Sequence, residues 1–401
     1  MGKIRQMPPL NPSNRIFSID LLRGMVMIIM ALDHVRDYFH AEAYLFNPLN
    51  LEKTNGLLFF TRWITHYCAP VFVFLAGTSA FLSGRKKTKM ALSAFLLKRG
   101  LWLILLELTI VNFGWNFDIS FTSIYFVTIW ALGVSMIALS ALVYLPLKWI
   151  LAIGVVIVGG HNLLDKVEVS GGGIGAFFWA LIHKQQLFIW AGKNFLVGYP
   201  VLSWIGLMAL GYCFGKLYTP EFGVEKRKKW LLMLGLGAVV MFAALRWLNI
   251  YGDPSPWTKQ SDPFFTFLSF LKTTKYPSSL LYQLMTIGPA ILFLAFTERA
   301  NNGLSKFVSI YGRVPMFFYI IHIYLIHLAA LFAAEFFSSF GWQIWILKEP
   351  LWLTQTLQGY GFGLDVVYAV WIAVVLVVFP LCKRYDRYKT MHKEKWWLSY
   401  L

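Results

Sequence analysis

The chain has 401 residues, of which 58% are hydrophobic and 14% charged, with a mean hydropathy of +0.60 and a formal net charge of +17. Soluble domains carry about 25% charged residues, so this composition excludes an ordinary soluble domain and fits a polytopic membrane protein. The positive charge does not require nucleic acid, because basic loops on one membrane face suit anionic lipid headgroups.

Apolar run length predicts an all-α bundle of about ten transmembrane helices. They fall at roughly 17–39, 57–82, 91–112, 122–145, 147–164, 199–217, 229–249, 278–297, 307–333 and 365–382. Segment 174–190 is apolar but broken by His183, Lys184, Gln185 and Gln186, and reads as an interfacial helix on the outer surface. Most of the 36 Lys and Arg lie in 1–16, between Arg85 and Arg99, between Lys216 and Lys229, and in 383–401. That bias predicts that both termini are cytoplasmic. Composition does not shift abruptly, so 1–401 reads as one membrane domain. The first apolar stretch is long and interrupted by acids, and no cleavable signal peptide is expected. Cys68, Cys213 and Cys382 fall in or beside apolar spans without metal-ligand spacing, and no HExxH pattern occurs; no metal is expected.

The first span, FSIDLLRGMVMIIMALDHVRDYF, carries Asp20, Arg23, Asp33, His34, Arg36 and Asp37. An ionisable group at mid-bilayer costs about 2.5–3.5 kcal/mol on insertion scales. Arg23 and His34 are eleven residues apart, almost a whole number of turns: about 20° out of register over roughly 16 Å of helix. Both therefore lie on one stripe. Asp20 can pair with Arg23 across a turn. Asp33, beside His34, is a candidate catalytic carboxylate, although on an ideal helix it points about 100° away.

The second span places Arg62 and His66 one turn apart just before Pro70. One reading has His34 and His66 sharing a cavity in the outer half. The other has His66 donating to a carbonyl freed by Pro70 while Arg62 snorkels to the headgroups. Glu107 sits in the apolar run LLELTIVN, either protonated or paired with a basic group. Near 311–327, Tyr319 and His322 fall within an apolar helix, and Arg313 stands at its cytoplasmic end before Pro315, where a guanidinium can clamp a phosphate. Outside, YGDPSPW at 251–257 presents Asp253 and Trp257 in a Pro-punctuated turn, as sugar-binding surfaces do.

SIDLLRGMVMIIMALDHVRDYF, followed by APVFVFLAGTSAFL, resembles the opening of transmembrane acyltransferases. YGDPSPW, KYPSSLLYQLMTIGPA, YGRVPMFFYIIHIYLIH and the tail RYDRYK are similar to further segments of one group. That group is the bacterial heparan-α-glucosaminide N-acetyltransferase catalytic-domain-like family, related to the acyltransferase-3 O-acetylases. Arg23 and His34 match the basic residue, ten residues and essential His of the acyltransferase-3 branch; Tyr319 to His322 loosely matches its Tyr-Leu-x-His element. Heparan-type enzymes place their reactive His in the first loop, where this chain offers His40.

The resemblance implies a multi-pass enzyme of the bacterial inner membrane, moving an acetyl or other acyl group from cytoplasmic acetyl-CoA to an amine or hydroxyl of an outer-face glycan or amino sugar. Arg23 and Arg313 would then hold CoA, and His34 would deprotonate the acceptor or first take the acetyl group. His66 or Arg62 would stabilise the oxyanion, and Asp20, Glu107, Tyr319, His322, Asp253 and Trp257 would support the site. Pairing of two copies through an outer helix stays open. A different class also fits the ionisable stripe: a transporter whose path is lined by His34, His66 and Arg23.

Overall fold

Helix α1 (Phe17–Phe39) is the axis of the molecule, a computed structural model that describes residues 16–351, 353–392, 394–395 and 398. The basic residues Lys3, Arg5, Arg15 and Lys393 lie outside the described residues. Most of α1 is buried, Asp20, Asp33, His34 and Arg36 included, because several other helices pack against it.

The next segment starts at Asn55, whose side chain accepts from Leu58 N–H and caps α2 (Gly56–Ile64). A 3₁₀ turn, Thr65–Tyr67, leads into α3 (Cys68–Gly84). Pro70 has no N–H to offer four residues back, so the freed carbonyl is that of His66, and the Tyr282 hydroxyl donates to it at 2.8 Å. α4 (Lys89–Leu106) continues through a π-turn at Glu107–Val111 into α5 (Asn112–Asn116).

The expected helix 122–145 begins instead with strand β1 (Ser123–Phe126), and only then becomes α6 (Thr128–Leu142). α7 (Leu147–Gly160) follows. The expected interfacial helix 174–190 is helical only over α8 (Ile174–Ile182); β2 (Gln186–Trp190) and β3 (Lys193–Val197) form a hairpin after it. Its two turn residues, Ala191 and Gly192, both have positive φ, the conformation that suits the strands' twist. β3 pairs with β2 antiparallel and with β1 parallel. The all-α expectation is corrected by this sheet in an otherwise mostly helical chain. The alternating aromatic and branched residues of SIYF and QLFIW fit a pleated, half-buried surface as well as a helix.

The remaining helices are α9 (Leu202–Phe214), α10 (Val224–Leu248), α11 (Pro263–Leu271), α12 (Leu280–Thr297), α13 (Gly303–Arg313), α14 (Pro315–Phe337) and α15 (Leu364–Met391). The expected span 307–333 is thus two helices. Pro315 disfavours helical backbone at the residue before it, and Val314 takes φ −132° and ψ 50° there.

Among the described residues six helical segments are long and apolar enough to cross a membrane: Gly56–Gly84, Leu147–Leu164, Val224–Leu248, Leu280–Thr297, Pro315–Phe337 and Leu364–Met391. The other four expected spans fall short for local reasons. α1 is interrupted by charge, α4 carries Lys89, Lys98 and Arg99, and α6 and α9 are 15 and 13 residues long.

Two glycines fix how α1 meets its neighbour. A Cβ on Gly312 would stand 1.8 Å from the Asp20 carbonyl oxygen, and one on Gly24 would stand 2.0 Å from that of Val308. Only glycine lets α1 and α13 cross this closely, and the crossing brings Arg23 and Arg313 to the same end of the bundle.

Candidate active site

Part of the stripe expected on α1 lines a cavity, but His34 is not among the lining residues. Arg23, Met27 and Met30 occupy successive turns along a space of about 310 Å³, enclosed also by Phe72, Ala76, Leu103, Met136 and Met316. Its walls are mostly apolar, and its polar groups gather at the end where α1 begins. There Arg23, Arg99, Arg313 and Lys389 arrive from four helices, joined by Ser79 and Ser83. Arg23 donates to Ser79 Oγ at 2.9 Å and to the Gly312 carbonyl at 3.2 Å, and lies 3.5 Å from Asp20 Oδ1. Arg313 pairs with Asp386 at 3.0 Å. Four cations and two carboxylates meet among these groups, which leaves this end of the cavity basic. Arg99 and Lys389 read as loop charges in the sequence; only the meeting of α4 and α15 at this end of the cavity reveals their place.

At the inner end of the cavity Tyr319 lines the wall, its ring 6.2 Å from that of His34. His34 is the next residue on the α1 stripe after Met30, and it meets His322 of α14, Nδ1 to Nε2, at 2.8 Å. His322 Nδ1 is 2.8 Å from the Phe318 carbonyl. A carbonyl can only accept, so Nδ1 of His322 carries the proton and its Nε2 is an acceptor. His34 must then donate through Nδ1–H. That leaves the lone pair of His34 on Nε2, which makes no hydrogen bond among the described residues. The pair therefore holds His34 in the tautomer whose lone pair is on Nε2. The indole of Trp115 meets the His34 ring edge-on at 4.9 Å, and its buried N–H has no partner.

Asp33 does not orient His34. Arg62 Nη1 lies 2.7 and 2.6 Å from its two oxygens, Arg36 Nη1 2.9 Å from Oδ1, and Thr65 donates at 2.9 Å. Burial in the bundle, not a headgroup, receives Arg62, which corrects the snorkelling alternative. His66 is 1% exposed and its Nδ1 has no partner; the carbonyl freed by Pro70 is its own, so it does not donate there. Its ring packs edge-on against Tyr282 at 5.3 Å.

Glu107 is neither paired with a base nor open to the cavity. Its Oε2 accepts from the amides of Ile129 and Trp130 at 2.7 and 2.9 Å, closing the N-terminus of α6, where a carboxylate is favoured by the helix dipole. Beyond the spans, Asp118 holds the turn after α5 that carries Trp115. Burial pushes its carboxyl up, but hydrogen bonds from the Ser120 and Thr122 amides outweigh this and keep it below the usual carboxylate range. His40 lies in the turn after α1, where its Nδ1 accepts from Glu42 N–H at 3.3 Å.

Asp253 and Trp257 face inward rather than toward an external sugar. Asp253 accepts from Thr274 N–H and Oγ1 at 2.8 Å and from Ser279 Oγ at 2.7 Å. Trp257 packs on Trp247 and Phe270. The loop that Asp253 ties down carries Lys275, whose ammonium stands over the rings of Tyr276 and Tyr199. No group of three or more His, Cys, Asp or Glu among the described residues is placed to hold a metal.

The family model described as heparan-alpha-glucosaminide N-acetyltransferase, catalytic, matches residues 15–252. That is more than half of the chain, and the chain belongs to this family. No curated protein matches the chain. The match includes α1, α3 and the residues around His34 and His66, while Lys275, Arg313 and His322 lie beyond it. Membership makes the protein a membrane enzyme of the acetyltransferase type.

Proposed function

From that membership as premise, we propose that the protein transfers an acetyl group from cytoplasmic acetyl-CoA to an amine or hydroxyl of an amino sugar or glycan on the opposite face of a bacterial inner membrane. One observation carries this reading: a single apolar cavity joins a basic mouth to the wall beside His34. The cytoplasmic face is the end where α1 begins, in keeping with the basic residues gathered there.

The mouth suits the phosphates of CoA. Arg23 and Arg313 are the principal clamps, Arg99 and Lys389 add charge, and the exchangeable contacts to Ser79 and Asp386 leave guanidinium N–H groups to redirect. A cavity of about 310 Å³ is narrow for a nucleotide but suits the pantetheine arm, whose methylenes would pack on Met27, Met30, Phe72 and Met316. The thioester then lies by Tyr319, within reach of His34.

The acceptor approaches from the far end. Its nitrogen or oxygen lone pair attacks the thioester carbonyl while His34 Nε2 takes the departing proton. The tetrahedral oxyanion needs donors, and the unpartnered indole N–H of Trp115 is beside the reacting ring. Arg62, locked to Asp33, is not available for that task. Collapse re-forms the carbonyl and breaks the C–S bond; the CoA thiolate takes the proton back from His34. His322 stays neutral throughout and keeps His34 in register. Direct transfer needs no acyl-enzyme.

The test is thiol release from acetyl-CoA by the protein purified in detergent, with and without glucosamine, beside His34→Ala. Losing the base lowers turnover by about 10²–10⁴-fold, while acetyl-CoA binding by calorimetry persists. Absence of both turnover and binding in the unaltered protein would refute the proposal.

A further inference from the structure

Three rings pack on His34: Trp115 at 4.9 Å, His322 at 5.0 Å and Tyr319 at 6.2 Å between centres. Of these, Tyr319 alone lines the cavity. It also packs on His322 at 5.7 Å, so it borders both members of the imidazole pair. Pro315 and Met316 line the same space, so the start of α14 turns one face into the cavity and carries Tyr319 with it. The phenol is thus the joint between the cavity and the proposed base.

Its hydroxyl differs from those of three other tyrosines buried in the bundle. Tyr38, Tyr282 and Tyr311 donate to the carbonyls of Trp115, His66 and Val375 at 2.7–2.8 Å. A buried hydroxyl is costly to leave without such a bond. Tyr319 is 5% exposed, yet no acceptor among the described residues takes its proton. Its oxygen is not one of the sealed, unpartnered polar atoms either, so it opens onto the space that the ring lines. A phenol O–H at the end of an apolar cavity, its proton uncommitted, is a donor for an oxygen that a ligand brings.

We propose that Tyr319 is a catalytic residue whose O–H donates to the carbonyl oxygen of the thioester and to the oxyanion that this oxygen becomes. This rests on the acetyl-transfer reading. The acceptor's lone pair bonds to the carbonyl carbon, the π pair moves onto the oxygen, and His34 Nε2 takes the acceptor's proton. Tyr319 keeps its own proton and shares it in a hydrogen bond that strengthens as the charge on the oxygen grows. The pair then returns to re-form the carbonyl, the C–S bond breaks, and the thiolate leaves with the proton from His34. Tyr319 approaches that oxygen from the cavity side and joins the Trp115 indole as its second donor.

The experiment reads both the rate and the bond. Tyr319→Phe keeps the ring against His34 and His322 and removes only the hydroxyl. In the full chain in detergent, with glucosamine as acceptor, kcat should fall by about 10²–10³-fold. Acetyl-CoA binding by calorimetry should stay close to that of the wild type. The bond is read by infrared spectroscopy on bound S-acetonyl-CoA, a ketone analogue that cannot be transferred, isotopically labelled at its ketone carbon. Its carbonyl stretch should lie at lower frequency in the wild type than in Tyr319→Phe. An unchanged kcat in Tyr319→Phe overturns the proposal. So does a lost rate with an unmoved stretch, which would mark a packing role.

Incorporation of 3-fluorotyrosine at position 319 covers the case in which Tyr319→Phe folds poorly. The fluorinated phenol has nearly the same shape and is a stronger donor, so the stretch should move lower still; an unmoved stretch overturns the proposal. A wild type that releases no thiol but lowers the ketone stretch through Tyr319 would keep the hydrogen bond and refute acetyl transfer. Thiol release that is indifferent to Tyr319 would do the reverse.

Discussion

The two ends of α1 hold similar residues in opposite ways. At its start, Arg23 and Arg313 touch single oxygens at 2.9–3.5 Å around an open cavity. Towards its end, Asp33 is gripped by a half-buried Arg62 through both oxygens and by the buried Arg36 and Thr65. Long, singly bonded contacts at a cavity mouth can be exchanged for a ligand at little cost. A carboxylate with both oxygens occupied cannot be recruited. The same ion-pair chemistry therefore suits exchange at one end and makes a fixed frame at the other, and the frame fixes the turn of α1 from which His34 projects towards His322.

That contrast can be broken most severely at the frame. Arg62→Met strips Asp33 of its two-pronged partner and leaves a carboxylate buried; loss of about 3–5 kcal/mol of folding stability is expected, read as a lower melting temperature in detergent. A normal melt would mean that the pair is not structural. Next in size is His322→Phe, which keeps the ring stacking but removes the acceptor that fixes the His34 tautomer. Turnover should fall by about 10²-fold with the KM for acetyl-CoA little changed, and His322→Gln, whose amide oxygen can accept, should recover part of it. If both variants behave alike, the hydrogen bond is not what positions His34. The smallest effect belongs to the mouth: Arg23→Gln should raise the KM for acetyl-CoA about tenfold, the size of one charge-assisted hydrogen bond, and leave the melt almost unmoved. An unstable Arg23→Gln would show that both ends are frame.

Much of this layout is legible in the sequence, and the parts that are not share a cause. The α1 stripe follows from the helical repeat alone, which is why Arg23 and His34 are predictable as one line. His322 needed the pairing of α14 with α1, 288 residues away, and no local spacing announces that. Glu107 looked like a stray acid because its partners are backbone amides, which no residue type records. Asp253 reads as facing outward for a similar reason, since its ligands are two loop amides and two hydroxyls. Strands β1 and β2 hid inside runs apolar enough to pass as helix.

The crossing of α1 and α13 at Gly24 and Gly312 leaves no slack, and a helix does not stretch. Between the guanidinium and the imidazole lie eleven residues at about 1.5 Å each. The site is therefore a ruler. On the proposed reading, a donor anchored by its phosphates would be measured against a rod of set length, and each carbon added to the acyl group would have to be accommodated beyond the mark where His34 stands.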